Sequence, residues 1–567
     1  MVKYRGQDFD ATHQVEKQTY NLRNLMKATW KNKTLLPVWI ERAIWLTHAS
    51  RKAFPAELEF GKDCVPCHFQ GLTWQSLLDP LEPTESYRKK VTAFTDDPRY
   101  QTRKSLLERF THISEPTYID KLRIEMLTRT RFNAEKTQYV QNLGKGLLLL
   151  KGGAGTGKTF ALGQLSLHLA RQGKTYRIIT YNHGLISEIS RLFNFIHKDT
   201  PLRRRPEITT RYSFIQDMFI ETFGIQAENK IRRDFGVIKE RENARVDALL
   251  REPELGSVYD YILIDEGQDW APSHRDMIYK AVGPGRVIVA DGEDQLVEGL
   301  RCTWDLPDIP VNRRHRLQVV QRTKAATSRT IAGVAKQIGV DWDLKPAPEL
   351  FGGRFSVFVE PDARKAVGRV MDILEKDVSG SPNIVPCDNL ISLPTSQMTG
   401  GKNYEWLFDH EIKARQLESW RGFSQKDRCT YVMREEQIRA IRYDSCRGME
   451  GWTNACLGLD QFYGFRIRNP FFSRTDIRAE LSKTQGLFTS QHDVEIEYQQ
   501  RAAKYAANWL MITLTRSIDH LVVHIVDDKS LLFNLLQRVS ANYPGAIDWL
   551  DSSDEDQKAK VAPHYIR

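Results

Sequence analysis

At 567 residues, with 82 lysines and arginines against 72 aspartates and glutamates, the chain carries a formal net charge of +10. That length supports about two to four domains with cores of their own, and the positive balance favours a polyanionic partner such as nucleic acid. No apolar run approaches the ~18 residues of a membrane span. The opening residues Met1-Val2-Lys3-Tyr4 form no signal-peptide core, and seven cysteines over this length argue against a disulfide framework. The expectation is a cytoplasmic protein with no membrane partner.

Residues 1–120 carry helical and strand-like patterns without a glycine-rich phosphate signature. Within them Cys64-Val65-Pro66-Cys67-His68 spells a haem-attachment pattern and could form half a zinc site. With no export signal and no second Cys-x-x-Cys, an ordinary loop is the expectation, and no metal is assigned there. From about 130 to 305, strand-like runs at 146–151, 176–180, 261–265 and 286–290 alternate with helical stretches, which argues for a parallel sheet covered by helices. A second region of this type runs from about 311 to 540, with strands expected at 354–359, 439–443 and 520–526. The end of the chain, with Asp551-Ser552-Ser553-Asp554-Glu555-Asp556, has the composition of a mobile tail.

Two segments carry the chemistry. Four consecutive leucines lead into Gly152-Gly153-Ala154-Gly155-Thr156-Gly157-Lys158-Thr159, which matches the phosphate-loop pattern G-x-x-x-x-G-K-[ST] in full. A strand before it and apolar residues at helical spacing after it supply the context that the pattern requires. The glycines let backbone N–H groups converge on phosphate oxygens, and the helix N-terminus adds partial positive charge. Lys158 is expected to reach the β- and γ-phosphates, and the Thr159 hydroxyl to sit on Mg²⁺. Downstream, the apolar run Tyr261-Ile262-Leu263-Ile264 ends in Asp265-Glu266-Gly267-Gln268-Asp269. A carboxylate at a strand end can hold Mg²⁺, and its neighbour can deprotonate a water. Asp265 takes the first role in this reading and Glu266 the second.

Further motifs then fall in order. Asp291-Gly292-Glu293-Asp294-Gln295 follows a buried-strand candidate, and Leu514-Thr515-Arg516-Ser517 follows an apolar helical stretch. An arginine supplied from a second domain can neutralise transition-state charge, an effect on the order of 10³–10⁵ in rate. With these residues the chain resembles the UvrD/Rep-like branch of superfamily 1 helicases. Residues 152–159 resemble motif I, 265–269 motif II (usually DEAQD), 291–295 motif III and 514–517 motif VI. Ser445-Cys446-Arg447-Gly448-Met449-Glu450-Gly451 resembles motif V, whose usual core is KGLE. Thr180-Tyr181-Asn182 and Thr209-Thr210-Arg211-Tyr212-Ser213-Phe214 resemble the strand-contacting motifs Ia and Ib. Gln138, fourteen residues before the loop, stands where that family places its adenine-reading glutamine. Arg322 is chosen for the motif IV arginine, with Arg313 and Arg314 as competitors.

The resemblance implies an α/β protein with two RecA-like P-loop NTPase domains, at 121–310 and 311–545, preceded by a smaller α+β region at 1–120 and followed by a polar tail at 546–567. ATP with Mg²⁺ would lie between the domains. The first would contribute the loop, Gln138, Asp265, Glu266 and Gln295; the second would contribute Arg322, Glu450 and Arg516. Single-stranded DNA, or RNA in its place, would cross both. Residues 14–22 and 36–40 look like the last helix and strand of a nuclease-related (NERD) domain, which implies a truncated domain without nuclease activity; an unrelated helical extension is the alternative.

Three departures bear on function. Motif III usually begins Gly-Asp, and here reads Asp291-Gly292. The family's base-stacking aromatic falls on Leu300, with Trp304 either its substitute or a core residue. The stretches between motifs I and II and between motifs IV and V are short, so ATP hydrolysis is better supported than duplex unwinding. The alternative is an ATP-gated switch that regulates a protein partner, such as a nuclease.

Overall fold

The computed structural model describes residues 115–550 apart from 129–138, 142, 154, 181–182, 205, 258, 293–301, 310, 318, 343–344, 349, 429–433 and 486–489, together with the backbone of 2–4, 7–9, 42–46 and 64–68. The chain divides into two units, 1–113 and 114–567. In the first, β1 (Val2–Tyr4) pairs antiparallel with β2 (Gln7–Phe9), and β3 (Arg42–Leu46) pairs parallel with β4 (Cys64–His68). The Cys-Val-Pro-Cys-His stretch is therefore a strand and not the expected loop. A two-stranded sheet leaves each strand an unpaired edge, where a proline's missing N–H forfeits no ladder bond. The helix and strand expected at 14–22 and 36–40 lie outside the described residues.

The second unit opens with helix α1 (Tyr118–Thr128). A six-stranded sheet follows, made of β5 (Leu147–Gly152), β6 (Tyr176–Thr180), β7 (Glu207–Thr210), β8 (Tyr261–Ile264), β9 (Val287–Gly292) and β10 (Val311–Leu317). Its order is β10-β5-β9-β8-β6-β7 and every pairing is parallel. Strand periodicity sends alternate residues to opposite faces. Leu147, Leu149, Ile262, Ile264, Val287 and Val289 enter one buried cluster, while Leu148, Leu150, Leu263, Ile288 and Ala290 enter the other. Burial on both faces is why these strands read as unbroken apolar runs. The crossovers are α2 (Lys158–Gln172), α3 (His183–Asp199), the pair α4 (Arg211–Asp234) and α5 (Ile238–Arg251), and α6 (Pro272–Val282).

After β10, a short parallel pair forms between β11 (Val319–Val320) and β12 (Lys345–Pro346), with α7 (Ala325–Gln337) between them. The second large sheet contains β13 (Arg354–Val359), β14 (Leu390–Leu393), β15 (Glu418–Gly422), β16 (Gln437–Arg442), β17 (Gly451–Cys456), β18 (Ser517–Ile525) and β19 (Asp548–Trp549). It too is wholly parallel, in the order β15-β16-β14-β17-β18-β13-β19. Helix α8 (Ala363–Ser379) shows why its sequence folds as it does: Asp362 caps the N-terminus by accepting from Arg364 N and Lys365 N, and Ala366, Val367, Val370, Met371 and Leu374 form a buried stripe. Residues 548 and 549 belong to the sheet and not to the tail expected from 546. Trp549 packs on Phe533 with ring centroids 5.5 Å apart and donates from Nε1 to Ser540 Oγ at 3.1 Å. Residues from 551 onward lie outside the described set.

One buried polar network bolts this second sheet together. Asp377 on α8 pairs with His520 Nδ1 at 2.6 Å and accepts from Thr453 Oγ1 at 2.7 Å and Arg354 Nη2 at 2.6 Å. His520 Nε2 meets Ser356 Oγ at 2.9 Å. The order Ser–His–Asp resembles a nucleophile triad, but Ser356 is 1% exposed and His520 3%, so no substrate reaches it. Burial pushes the Asp377 carboxyl up; the bond and charge of His520, helped by Arg354 and Thr453, outweigh this and hold it down at about 2. Breaking a buried pair of this kind costs about 3–5 kcal/mol, and Asp377→Ala is expected to lose about that much in chemical denaturation. Because the folded carboxyl sits below its unfolded value of ~3.9, its stabilisation is complete above ~3.9 and fades as pH falls through about 2. The melting-temperature gap between wild type and Asp377→Asn should therefore narrow on acidification across that window.

Candidate nucleotide site and the adjoining groove

The carboxyl ends of β5 and β8 bring the two sequence motifs together, with one strand, β9, between them. At the end of β5 the chain turns through Gly155 (φ 75°) and Gly157 (φ 86°), conformations that favour glycine. A Cβ at Gly152 would stand 2.6 Å from Thr156 Oγ1 and 2.9 Å from Leu317 O, so the loop is closely wrapped. Helix α2 then begins at Lys158, whose ammonium donates to Gly152 O at 2.9 Å and Gly153 O at 2.8 Å. Burial lowers the Lys158 pKa, and the Glu266 and Asp265 carboxylates oppose that fall. The segment after β10 crosses the loop: Gln321 N donates to Gly155 O at 3.0 Å, and Thr323 Oγ1 donates to Ser517 O at 3.0 Å. The loop is thus tied to β18 of the second sheet.

Thr159 Oγ1 donates to Asp265 Oδ2 at 3.0 Å. A hydroxyl and a carboxylate oxygen this close form a donor set suited to a hard divalent cation such as Mg²⁺. Burial and the neighbouring Glu266 charge raise the Asp265 carboxyl, a strain that a bound cation would relieve. Glu266 occupies a left-handed backbone conformation, φ 58°, uncommon for a residue with a side chain. Its carboxylate accepts from Arg447 Nε at 2.9 Å and from Gln268 Nε2 at 2.9 Å, and pairs with Arg447 Nη2 at 2.7 Å. Burial raises the Glu266 pKa, but Arg447 and Lys158 together pull it below the usual carboxylate range. Arg447 also pairs through Nη1 with Asp269.

Residues from both sheets and from the segments around them complete the charged cluster. Arg322 pairs with Glu450 at 2.6 Å and donates from Nη1 to Thr515 O at 3.1 Å. Glu450 also receives Arg123 of α1, whose Nη2 lies 2.9 Å from Oε2. Arg123 reaches Glu188 at 2.6 Å, and Arg439 reaches the same carboxylate at 2.7 Å. Arg516 donates to Ile512 O at 2.7 Å and to Thr515 Oγ1 at 3.1 Å, and makes no ion pair among the described residues. Burial and the Arg322 charge push its pKa down to about 10.

Beside this cluster lies a groove of about 530 Å³, lined by Thr180, Arg211, Tyr212 and Ser213 from the first sheet's side and by Arg428 and Ser445 from the second. Asp265, Glu266 and Asp269 also line it. The residues matched to motifs Ia, Ib and V therefore share one surface, which reaches the acidic strand end. Tyr181, Asn182, Gln138, Ala154, Gln295 and Leu300 lie outside the described residues. Arg313 and Arg314 are on β10, with backbone paired to Leu148 and Leu149, whereas Arg322 is the one joined to Glu450.

Trp304 is a core residue. It is fully buried, donates from Nε1 to Gly267 O at 2.8 Å, and packs against Trp270 and Tyr279 with ring centroids at 5.8 Å in each case. This contact accounts for Gly267, where the resembled motif has alanine: a Cβ there would fall 2.3 Å from Val289 Cγ1 and 2.9 Å from Trp304 Nε1. Sequence reading missed Arg123 entirely, and treated Arg447 only as part of a motif. Nothing around Arg123 signals its role, because its partners are 65 and 327 residues away. Arg447 had a signal, an arginine where the resembled core has lysine.

Comparison with protein-family models and with curated proteins finds no match for this chain.

Gly267→Ala is expected to destabilise the protein by about 1–3 kcal/mol through overpacking, with a change in tryptophan fluorescence as Trp304 shifts. Equilibrium denaturation followed by emission reads both effects, and an unperturbed variant would remove this account of the glycine.

Proposed function

We propose that the protein is a nucleic-acid-stimulated ATPase of the UvrD-like type, with two RecA-like domains that use ATP and Mg²⁺ to move on single-stranded DNA. The observation that carries this reading is Arg516: a buried guanidinium with no carboxylate paired to it among the described residues, near Glu450 and Glu266, which belong to the same charged cluster as Lys158 and the Thr159–Asp265 pair. A buried cation without a counter-ion suits a site that receives an anion.

In this proposal Lys158 and the loop N–H groups bind the phosphates, and Arg322 and Arg516 face the γ-phosphate from the second sheet. Thr159 and Asp265 hold the cation, which neutralises charge between the β- and γ-phosphates. Glu266 accepts the proton of the attacking water. The groove lined by Arg211, Tyr212, Ser213 and Ser445 takes the strand.

One observation favours a second reading, an ATP-gated switch acting on a protein partner. Trp304, the aromatic available to replace the family's stacking residue, is sealed in the core.

Steady-state ATP hydrolysis with and without single-stranded DNA or RNA, at two salt concentrations, separates the two. Stimulation by one nucleic acid that weakens as salt rises supports the motor; hydrolysis indifferent to both supports the switch. Lys158→Ala and Glu266→Gln are each expected to reduce turnover by about 10³-fold or more while circular dichroism shows the fold retained. A Glu266→Gln protein with the wild-type rate would refute Glu266 as the base.

A further inference from the structure

Among the described residues, Arg447 is the arginine paired with the acidic strand end. Its guanidinium is buried, 2% exposed, and spans two carboxylates from the opposite sheet, Glu266 and Asp269. Glu266 Oε1 accepts from Arg447 Nε at 2.9 Å, and Oε2 receives Gln268 Nε2 at 2.9 Å as well as Arg447 Nη2 at 2.7 Å. A carboxylate has roughly four lone-pair sites, so little of this one is left to accept from a water. Gln268 is itself fixed, because its Oε1 accepts from Gly292 N at 2.6 Å. The base is held, and it is held from across the cleft.

The residue that holds it stands on a turn. Between β16 and β17 the chain passes through Asp444, Ser445, Cys446 and Arg447 to Gly448, whose φ of 82° turns the backbone back. A Cβ at Gly448 would meet Leu185 Cδ2 at 2.7 Å, so this turn is pressed onto α3. Asp444 and Ser445 line the groove, three and two residues from Arg447. Arg211, Arg232, Arg241 and Arg428 also line the groove and would receive a polyanion, whose charge would compete with Glu266 and Asp269 for Arg447.

From this geometry we infer that Arg447 is a positioning residue that withholds Glu266 from the reaction until a nucleic-acid strand in the groove moves the 444–450 turn. The inference rests on the ATPase reading above. In that reaction the water oxygen bonds to Pγ, the bond from Pγ to the bridging oxygen breaks with its electron pair leaving on the diphosphate, and the water proton passes to Glu266. Release from Arg447 frees Oε1 fully and raises the basicity of Glu266 toward that proton. The guanidinium fork matters: a lysine presents one point charge and cannot bridge both carboxylates in this way.

The test is ATP hydrolysis by Arg447→Lys and Arg447→Gln with and without single-stranded DNA. The expected result is a basal kcat raised about tenfold, a reduced stimulation ratio, and a KM for ATP unchanged within about twofold. A purely structural arginine would not raise basal kcat. Loss of basal and stimulated turnover together would overturn the inference and place Arg447 on the reacting phosphates. Unchanged rates would overturn it too. If neither variant folds, hydrogen–deuterium exchange on the wild-type protein decides: strand binding should increase exchange across 444–450, and no change there would refute the coupling. A wild-type protein that hydrolyses no ATP under any condition would instead defeat the ATPase reading, a distinct failure.

Discussion

Buried charge joins the two sheets across the cleft. Arg123, Glu188, Arg439, Glu450 and Arg322 form one chain of ion pairs, and Arg447, Glu266 and Asp269 form another. Each ion taken out of water costs several kcal/mol, and the cost is recovered only while every partner is present. An apolar interface opens at a cost set by its area. An interface of this kind opens when a substitute charge arrives, because a new partner offsets the desolvation that separation would expose. Phosphate groups are substitutes of that sort, for arginine above all.

Seven strands were legible as apolar runs buried on both faces, whereas β7, β10, β11, β12, β14, β15, β17 and β19 were not expected. A strand at 176–180 and another at 354–359 coincide with the expected runs, and β5, β8, β9, β16 and β18 differ from expectation by up to three residues at an end. Apolar runs bounded by glycine and charge mark such strands from local composition alone. The phosphate loop and the acidic strand end were legible for a related reason, since their spacing is local. Long-range pairs were not. Asp377 and His520 are 143 residues apart, and Arg123 and Glu450 are 327 apart, with no local pattern to join them. Trp549 falls in the expected tail because the polar run from Asp551 follows it closely; its contacts with Phe533 and Ser540 depend on where α9 (Leu531–Asn542) folds back.

Departures from a motif carry packing information. Gly267 in Asp265-Glu266-Gly267-Gln268-Asp269 looks like a small drift from the usual alanine, but Trp304 and Val289 leave no space for a methyl group. The tryptophan that could have offered a stacking surface to a base is the same one that fixes the backbone beside Glu266, through its bond to Gly267 O. The chain uses this aromatic to hold the acidic turn, and a buried ring cannot also serve the groove.

The turn at 444–450 is where the two ion-pair chains meet. Arg447 and Glu450 are three residues apart on it; one holds Glu266, the other holds Arg322 and Arg123. Arg322 in turn donates to Thr515 O, next to Arg516. A displacement of this short segment therefore acts on the carboxylate at one end of the cleft and on the arginines at the other. Packed interfaces shift between discrete arrangements more readily than they deform, because close-packed side chains and desolvated pairs resist partial separation. Glu266 and the Arg322–Arg516 pair are then expected to change state together, since the backbone that positions both is one piece.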